Sequence, residues 1–135
     1  MKTNWDYTQL ADAYLERPDY APDALKQLFN IAGLKPGDKV CDLGAGVAHL
    51  TIPLAKYGCI VDAVEPNDAM RANGKKRTAD LPDVTWYEGT GEASGRPGGE
   101  YDFVTFGSSF NVCDRPKALK ETHRLLKPGK YFTCL

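Results

Sequence analysis

"VCDLGAGVAHLT", Val40 to Thr51, decides how the rest of the chain is read. An apolar run ends in an acid, two glycines follow one residue apart, and helix-compatible residues come next. That order predicts a buried strand, a tight turn and a helix. Glycine suits positions 44 and 46 for two reasons. It accepts positive φ, and its missing Cβ lets a ligand approach the backbone. The helix start behind the turn offers free N–H groups. Two readings stand at this point: a ligand-binding corner, and a plain strand-to-helix corner.

Upstream, Tyr7 to Glu16 reads as a helix, with Leu10, Ala13 and Tyr14 at helical spacing, and "RPDYAP" breaks it. A second helix follows Pro22, carries Leu25, Leu28, Phe29 and Ala32 on one stripe, and closes at Gly33. "KPGD" (Lys35 to Asp38) is a turn. Downstream, "KVCDLG" is a strand and Val47 to Lys56 a helix with Pro53 as an interior blemish. "CIVDAVE" is a strand, and Asn67 caps a helix running to about Thr78. "VTWYEG" and "YDFVTFG" are strands separated by the loop-like "TGEASGRPGGE". Asp114 caps a helix with Pro116 in its first turn and Leu119, Leu125 and Leu126 on its apolar face. "KPG" stops it, and "KYFTCL" is the last strand.

Near-strict alternation of short apolar strands with helices predicts an α/β fold. Its core is a doubly wound, mostly parallel sheet of about five strands, covered on both faces. This is a Rossmann-like layout, in which ligands bind at the carboxyl ends of the strands where strand order reverses. The crossover between Gly89 and Glu100 is too rich in glycine and proline for a good helix.

Bulk properties narrow the partners. The chain has 135 residues, 42% hydrophobic and 26% charged, as in a globular domain. Seventeen basic against 18 acidic residues give a net charge of -1, so no nucleic-acid or membrane partner is expected. The one tight basic run, Lys75 to Arg77, suits the C-terminal turn of a helix. Cys41, Cys59, Cys113 and Cys134 are widely spaced with no CxxC pair. They read as small hydrophobes in a reducing compartment, with no disulfide framework or metal site expected. Without an apolar leader-like stretch at the N-terminus, a cytoplasmic location is expected.

The ligand can be narrowed further. In the dinucleotide fingerprint G-x-G-x-x-G, His49 falls on the third glycine, which close helix–strand packing requires. Asp42 would repel a pyrophosphate and attract an ammonium group. The turn suits a ligand with a positive amine.

"DLGAGVA" (Asp42 to Ala48) resembles motif I of the class I S-adenosylmethionine-dependent methyltransferases, with Ala48 at the last glycine. The resemblance implies that Asp42 and the backbone of Gly44, Ala45 and Gly46 hold the methionine moiety. "EPNDAM" resembles the family's second mark, an acid, a helix cap and a Met. It implies that Glu65, followed by Pro66, accepts the ribose hydroxyls, and that Met70 packs on the adenine. Met70 reads equally as a helix-core residue. In "YEGTGEA" Thr90 takes the usual acid position, Gly91 the small one, and Glu92 comes next. Whether Thr90, Glu92 or only backbone reads the adenine stays open. "EYDFVTFGSSFNVCDRPKALKETHRLLKPGKY" is similar to motif IV, its helix and the L-K-P-G turn. That resemblance implies that Asp102 is structural, that Thr105, Phe106 and Gly107 border the cofactor, and that Ser108 to Asn111 face the transferred methyl. The resemblance covers roughly residues 35 to 135 and points to the type 11/25-like branch.

What the resemblance implies is an S-adenosylmethionine-dependent methyltransferase acting on a small molecule. Many such enzymes need no acid or base, so no catalytic residue is assigned. Asp114, His49 and an N-terminal tyrosine are the candidate bases; His49 reads better as a helix residue, and His123 does no chemistry. Residues 1–34 are expected as a helical lid, with Tyr7, Tyr14, Arg17 and Tyr20 as polar handles and Tyr14 and Tyr20 near the cofactor. Residues 35–135 are expected as the cofactor-binding core. The family fold has seven strands, and the last two are expected to be lacking here. That leaves a strand-five edge, "YFTCL", free for a homodimer, or a truncated form. The alternative function is a non-catalytic or truncated S-adenosylmethionine-binding module that needs a partner.

Overall fold

A computed structural model describes residues 8–16 and 18–135. Five strands form one sheet: β1 (Lys39–Leu43), β2 (Ile60–Val64), β3 (Val84–Tyr87), β4 (Tyr101–Phe106) and β5 (Leu126–Cys134). The order is β3-β2-β1-β4-β5, and every pairing is parallel. The chain winds outward from β1 to β3, then returns to start β4 on the other side of β1. The topological switch therefore lies between β1 and β4, beside the glycine turn.

Four helices cover the sheet: α1 (Pro22–Ile31), α2 (Thr51–Lys56), α3 (Asp68–Arg77) and α4 (Arg115–Leu125). Strand parity sorts the core. Val40, Val61 and Phe103 pack with Leu25 and Phe29 of α1 and with Leu50 and Leu54 around α2. Cys41, Leu43, Val104 and Phe106 pack with Ala118 and Leu125 of α4. The strands read as continuous apolar runs because both faces are covered. Two caps are present as expected: Asn67 Oδ1 accepts from Met70 N–H (3.0 Å), and Asp114 Oδ1 accepts from Lys117 N–H (3.3 Å). Asp102 anchors the foot of the sheet, accepting from Lys39 N–H (2.9 Å) and Lys127 Nζ (3.1 Å). The 89–100 crossover contains no helix.

Five expectations need correction. Thr8–Leu10 and Ala13–Glu16 are short 3-10 turns instead of one helix. The helix after the glycine turn begins at Thr51, because Ala48 takes φ +81 and ends any helical run there. Pro53 is then no blemish, since it falls in the first turn, where no N–H has an intrahelical partner. Leu119 is 43% exposed, and the inner face of α4 instead buries Ala118, Glu121, Thr122 and Leu125. Glu121 is tolerated because its carboxylate accepts from Ser94 N–H (2.9 Å) and Arg124 Nε (2.7 Å). "KPG" lies within the span of β5, as a register shift: the pairing jumps from Tyr101↔Leu126 to Phe103↔Tyr131.

Gly74 sits mid-helix in α3, where a Cβ would overlap the Trp86 indole of β3. Alanine normally favours a helix over glycine. Here Gly74→Ala is expected to destabilise the domain by about 1–3 kcal/mol, as overpacking does. The urea midpoint checks it; an unchanged or raised midpoint would show that the helix and strand need no such closeness.

Candidate functional site

The glycine turn, the ends of β2 and β4 and the 90–94 loop enclose a cleft of about 530 Å³. Backbone geometry explains the glycines. Gly44 (φ +66) and Gly46 (φ +61) are left-handed. A Cβ on Gly44 would overlap Ser109, whose Oγ donates to the Leu43 carbonyl (2.8 Å). A Cβ on Gly46 would lie 3.0 Å from Met70 Cε. The turn is thus pressed between two side chains, and only bare backbone fits.

Two carboxylates form the floor. Asp42 is fully buried, accepting from Thr51 Oγ1 (2.7 Å) at Oδ2 and from Thr105 Oγ1 (2.8 Å) at Oδ1. It ties β1 to α2 and β4. Burial pushes its carboxyl up from the usual 3.8 to about 6; the two threonine hydroxyls pull it down, and the charge of Glu65 adds to the rise. Glu65, at the end of β2, accepts from Gly46 N–H (2.8 Å) at Oε1 and from Asn67 N–H (2.8 Å) at Oε2. Burial raises its pKa too, against the pull of those two N–H groups and of Arg71. A carboxylate has about four lone-pair positions, so Glu65 keeps acceptor capacity on both oxygens.

Most of the expected residues come together here. Asp42, Gly44, Ala45, Gly46, Glu65 and Pro66 line one side of the cleft. Met70, Gly91, Glu92, Tyr14 and Tyr20 line the rest. Met70 packs with Ala11 and Val47 and also lines the cleft. Phe106 does not line it. It is fully buried beneath, where its ring would sit 3.1 Å from a Cβ on Gly91 and packs edge-on against Phe110. Thr90 and Glu92 both line the cleft, and both brace their loop. Thr90 Oγ1 accepts from Ala93 N–H (3.0 Å), and Glu92 Oε2 accepts from Asp114 N–H (3.0 Å). Asp114 and His123 are not among the lining residues. Tyr7 and Arg17 lie outside the described residues.

His49 is not a helix residue. It sits in the turn before α2, lines the cleft, and contacts Tyr14 and Asp19 of the N-terminal segment. Sequence reading missed the threonine that holds Asp42 from α2 and the place of Pro18 on the cleft, and read Asn67 only as a cap; Ser109, within the stretch expected to face the methyl, does line the cleft. Thr51 had a faint signal, since it falls nine residues after Asp42, at the first turn of the following helix. Arg71 escaped notice, and Arg77, expected in the last turn of α3, does more than complement the helix dipole. Arg71 Nη1 donates to the Glu65 carbonyl (2.8 Å) and Arg77 Nη1 to the Val47 carbonyl (2.8 Å), fixing the loops from behind.

Comparisons with known proteins bear on the family and the fold. A family profile described as "Methyltransferase domain" matches residues 41–134. A demethylmenaquinone methyltransferase of Staphylococcus saprophyticus is 32% identical over 114 residues, 82% of this chain and 49% of that protein. The enzyme of the same name from Corynebacterium glutamicum is 39% identical over 101 residues, 74% of this chain and 42% of that protein. The chain thus spans about half the length of these relatives. Among solved structures, a SAM-dependent methyltransferase from Aquifex aeolicus superposes with a TM-score of 0.81 at 23% identity. It covers 97% of this chain and 72% of its own, and shows a shared fold.

The raised pKa of Asp42 has a consequence for stability. Between the unfolded value of 3.8 and the folded value of about 6, the native state binds the extra proton. The contribution of Asp42 to stability is therefore present at low pH and lost as pH rises through that window. Asp42→Asn is expected to remove this slope, amounting to on the order of 2–3 kcal/mol between the two limits. Urea titrations of both proteins at pH 4 to 6 check it. Parallel slopes would show that Asp42 titrates normally.

Proposed function

The chain belongs to the class I S-adenosylmethionine-dependent methyltransferase family, and on that premise we propose that it binds S-adenosylmethionine in this cleft and transfers its methyl group to a small molecule. The observation that carries the reading is the floor of the cleft: two buried carboxylates around a bare glycine turn, with no Lys or Arg lining it among the described residues. Such a floor disfavours a pyrophosphate and suits a cationic ligand. Asp42 and the Gly44–Gly46 backbone would hold the amino-acid end. Glu65 would accept the ribose hydroxyls on the oxygens that already receive Gly46 and Asn67 N–H. Met70 and the Gly91–Glu92 loop would flank the adenine, and Tyr14 and Tyr20 would close the cleft as part of an N-terminal lid spanning residues 1–34.

When bound, the cofactor supplies a methyl on a sulfonium, already electrophilic. The protein's own task is then to orient an acceptor and exclude water. Ser108, held at φ +59 at the end of β4, lines the cleft within 3.3 Å of the Tyr20 hydroxyl. The two hydroxyls would orient the acceptor at the mouth. The names of the relatives make a reduced quinone ring the first acceptor to screen.

We assign the chain to the cytoplasm, a reading supported by four free thiols, Cys41, Cys59, Cys113 and Cys134. No helix among the described residues is long and apolar enough to cross a membrane. We also propose pairing of two copies along β5, supported by Tyr131 at 61% and Phe132 at 40% exposure on that outer strand. Light scattering at rising concentration should show a dimer, and a monomer throughout would remove the proposal.

Titration calorimetry should show binding of S-adenosylmethionine and S-adenosylhomocysteine and none of NAD. Glu65→Gln should weaken binding roughly tenfold or more, the size of a lost charged hydrogen bond. Affinity should fall as pH drops through about 6, where Asp42 takes up a proton in the free protein. Binding of NAD alone would sink the reading. Tight cofactor binding without turnover on any quinol would favour the binding-module alternative.

A further inference from the structure

His49 occupies a place that neither the core nor the proposed chemistry explains. The left-handed Ala48 before it interrupts the helical run, so the ring leaves the α2 helix and meets the N-terminal segment. Its Nε2 lies 2.6 Å from the Tyr14 carbonyl, and its Nδ1 lies 3.1 Å from Asp19 Oδ1. A carbonyl only accepts, so Nε2 carries the proton. The Asp19 carboxylate also only accepts, so the bridge is completed when the ring carries a second proton.

The segment is tied to the core elsewhere. Asn67 Nδ2 donates to Thr8 Oγ1 (3.0 Å), Asn73 Nδ2 donates to Asp12 Oδ1 (3.0 Å), and Tyr20 OH meets Ser108 Oγ (3.3 Å). Those three ties are between exposed groups, where a hydrogen bond competes with water. The His49 tie differs in two ways. Its ring is 15% exposed and bonds the Tyr14 carbonyl in a part-buried setting, and it also reaches the other side of Pro18, to the Asp19 carboxylate, which is itself 76% exposed. Tyr14, Pro18 and Tyr20, which the segment contributes to the cleft, all lie within or next to that grip.

We propose that His49 is a positioning residue, a clasp that bridges the Tyr14 carbonyl and the Asp19 carboxylate and holds the N-terminal segment closed over the cofactor cleft. It touches no reacting atom. It sets how long the bound cofactor is retained. The clasp rests on the cofactor reading above, but its closure is a property of the free protein and can be measured there.

The test pairs two measurements on the full chain. Hydrogen exchange of the free protein reads closure: His49→Ala and Asp19→Ala should each speed exchange across residues 8–20, and the double variant should be no faster than His49→Ala alone. Stopped-flow binding of S-adenosylhomocysteine reads retention. His49→Ala, which loses both contacts, should raise the dissociation rate roughly tenfold, and Asp19→Ala, which loses only the exposed one, by up to about fivefold, with association little changed. Asp19→Asn leaves a side chain that can pair with Nδ1 and should restore both readouts to within about twofold. Additive effects, or exchange unchanged by His49→Ala, would overturn the clasp. A slower association with unaltered dissociation would overturn it as well. If the wild type binds no S-adenosylhomocysteine, the cofactor reading fails, and the exchange data still decide whether His49 fastens the segment.

Discussion

The carboxylate of Glu65 is the point on which the site depends. One oxygen holds Gly46 of the turn after β1, and the other holds Asn67 at the start of α3. Asn67 in turn caps α3 through Met70 N–H, and Met70 presses on Gly46. A strand end, a glycine turn and a helix start are thus closed into one ring of contacts. Arg71 completes it from behind by donating to the Glu65 carbonyl. Loosening any member frees backbone N–H groups that the burial leaves without water. That constraint explains why the turn needs glycine, why an acid ends β2, and why α3 starts where it does.

The sheet supplies a second fixed point. Parallel pairing of β1 with both β2 and β4 brings Asp42 opposite Ala63 and Thr105. Thr105 and Thr51 then satisfy its two oxygens. The acid is positioned by register as much as by local sequence, because a one-residue slip would turn it to the other face.

Features set by local chemistry were legible in the sequence. The strands announced themselves as apolar runs, and Asn67 and Asp114 as caps, because each uses only neighbouring backbone. The cleft residues followed from two glycines and an acid at strand ends. Features set by long-range partners were not legible. Ala48 in a left-handed conformation looks like ordinary helix in a sequence, since nothing local warns of φ +81. Glu121 looks like surface, yet it is buried, with its pKa held down to about 2 chiefly by Arg124 and further by Ser94, 27 residues away. Phe106 ended a strand at the right place, but parity sent its ring into the core beneath Gly91. The N-terminal segment has helical spacing and forms only 3-10 turns, because ties to Asn67, Asn73 and His49 override a weak local preference.

The electrostatics of the cleft run against what stability alone would choose. Burial raises the pKa of both floor carboxylates, so keeping them charged costs the folded chain free energy near neutral pH. Arg71 offsets only part of that cost at Glu65. The hydrogen bonds of Arg71 and Arg77 go to the carbonyls of Glu65 and Val47, with Arg71 also paired to Asp68. Among the described residues no Lys or Arg lines the cleft itself. A fold selected only to persist would neutralise such a floor or replace it with apolar residues, which is often no less stable. Retained negative charge in a preformed cleft makes sense if a cation arrives from outside to relieve it. The same desolvation that weakens the empty protein then strengthens its hold on a positively charged ligand.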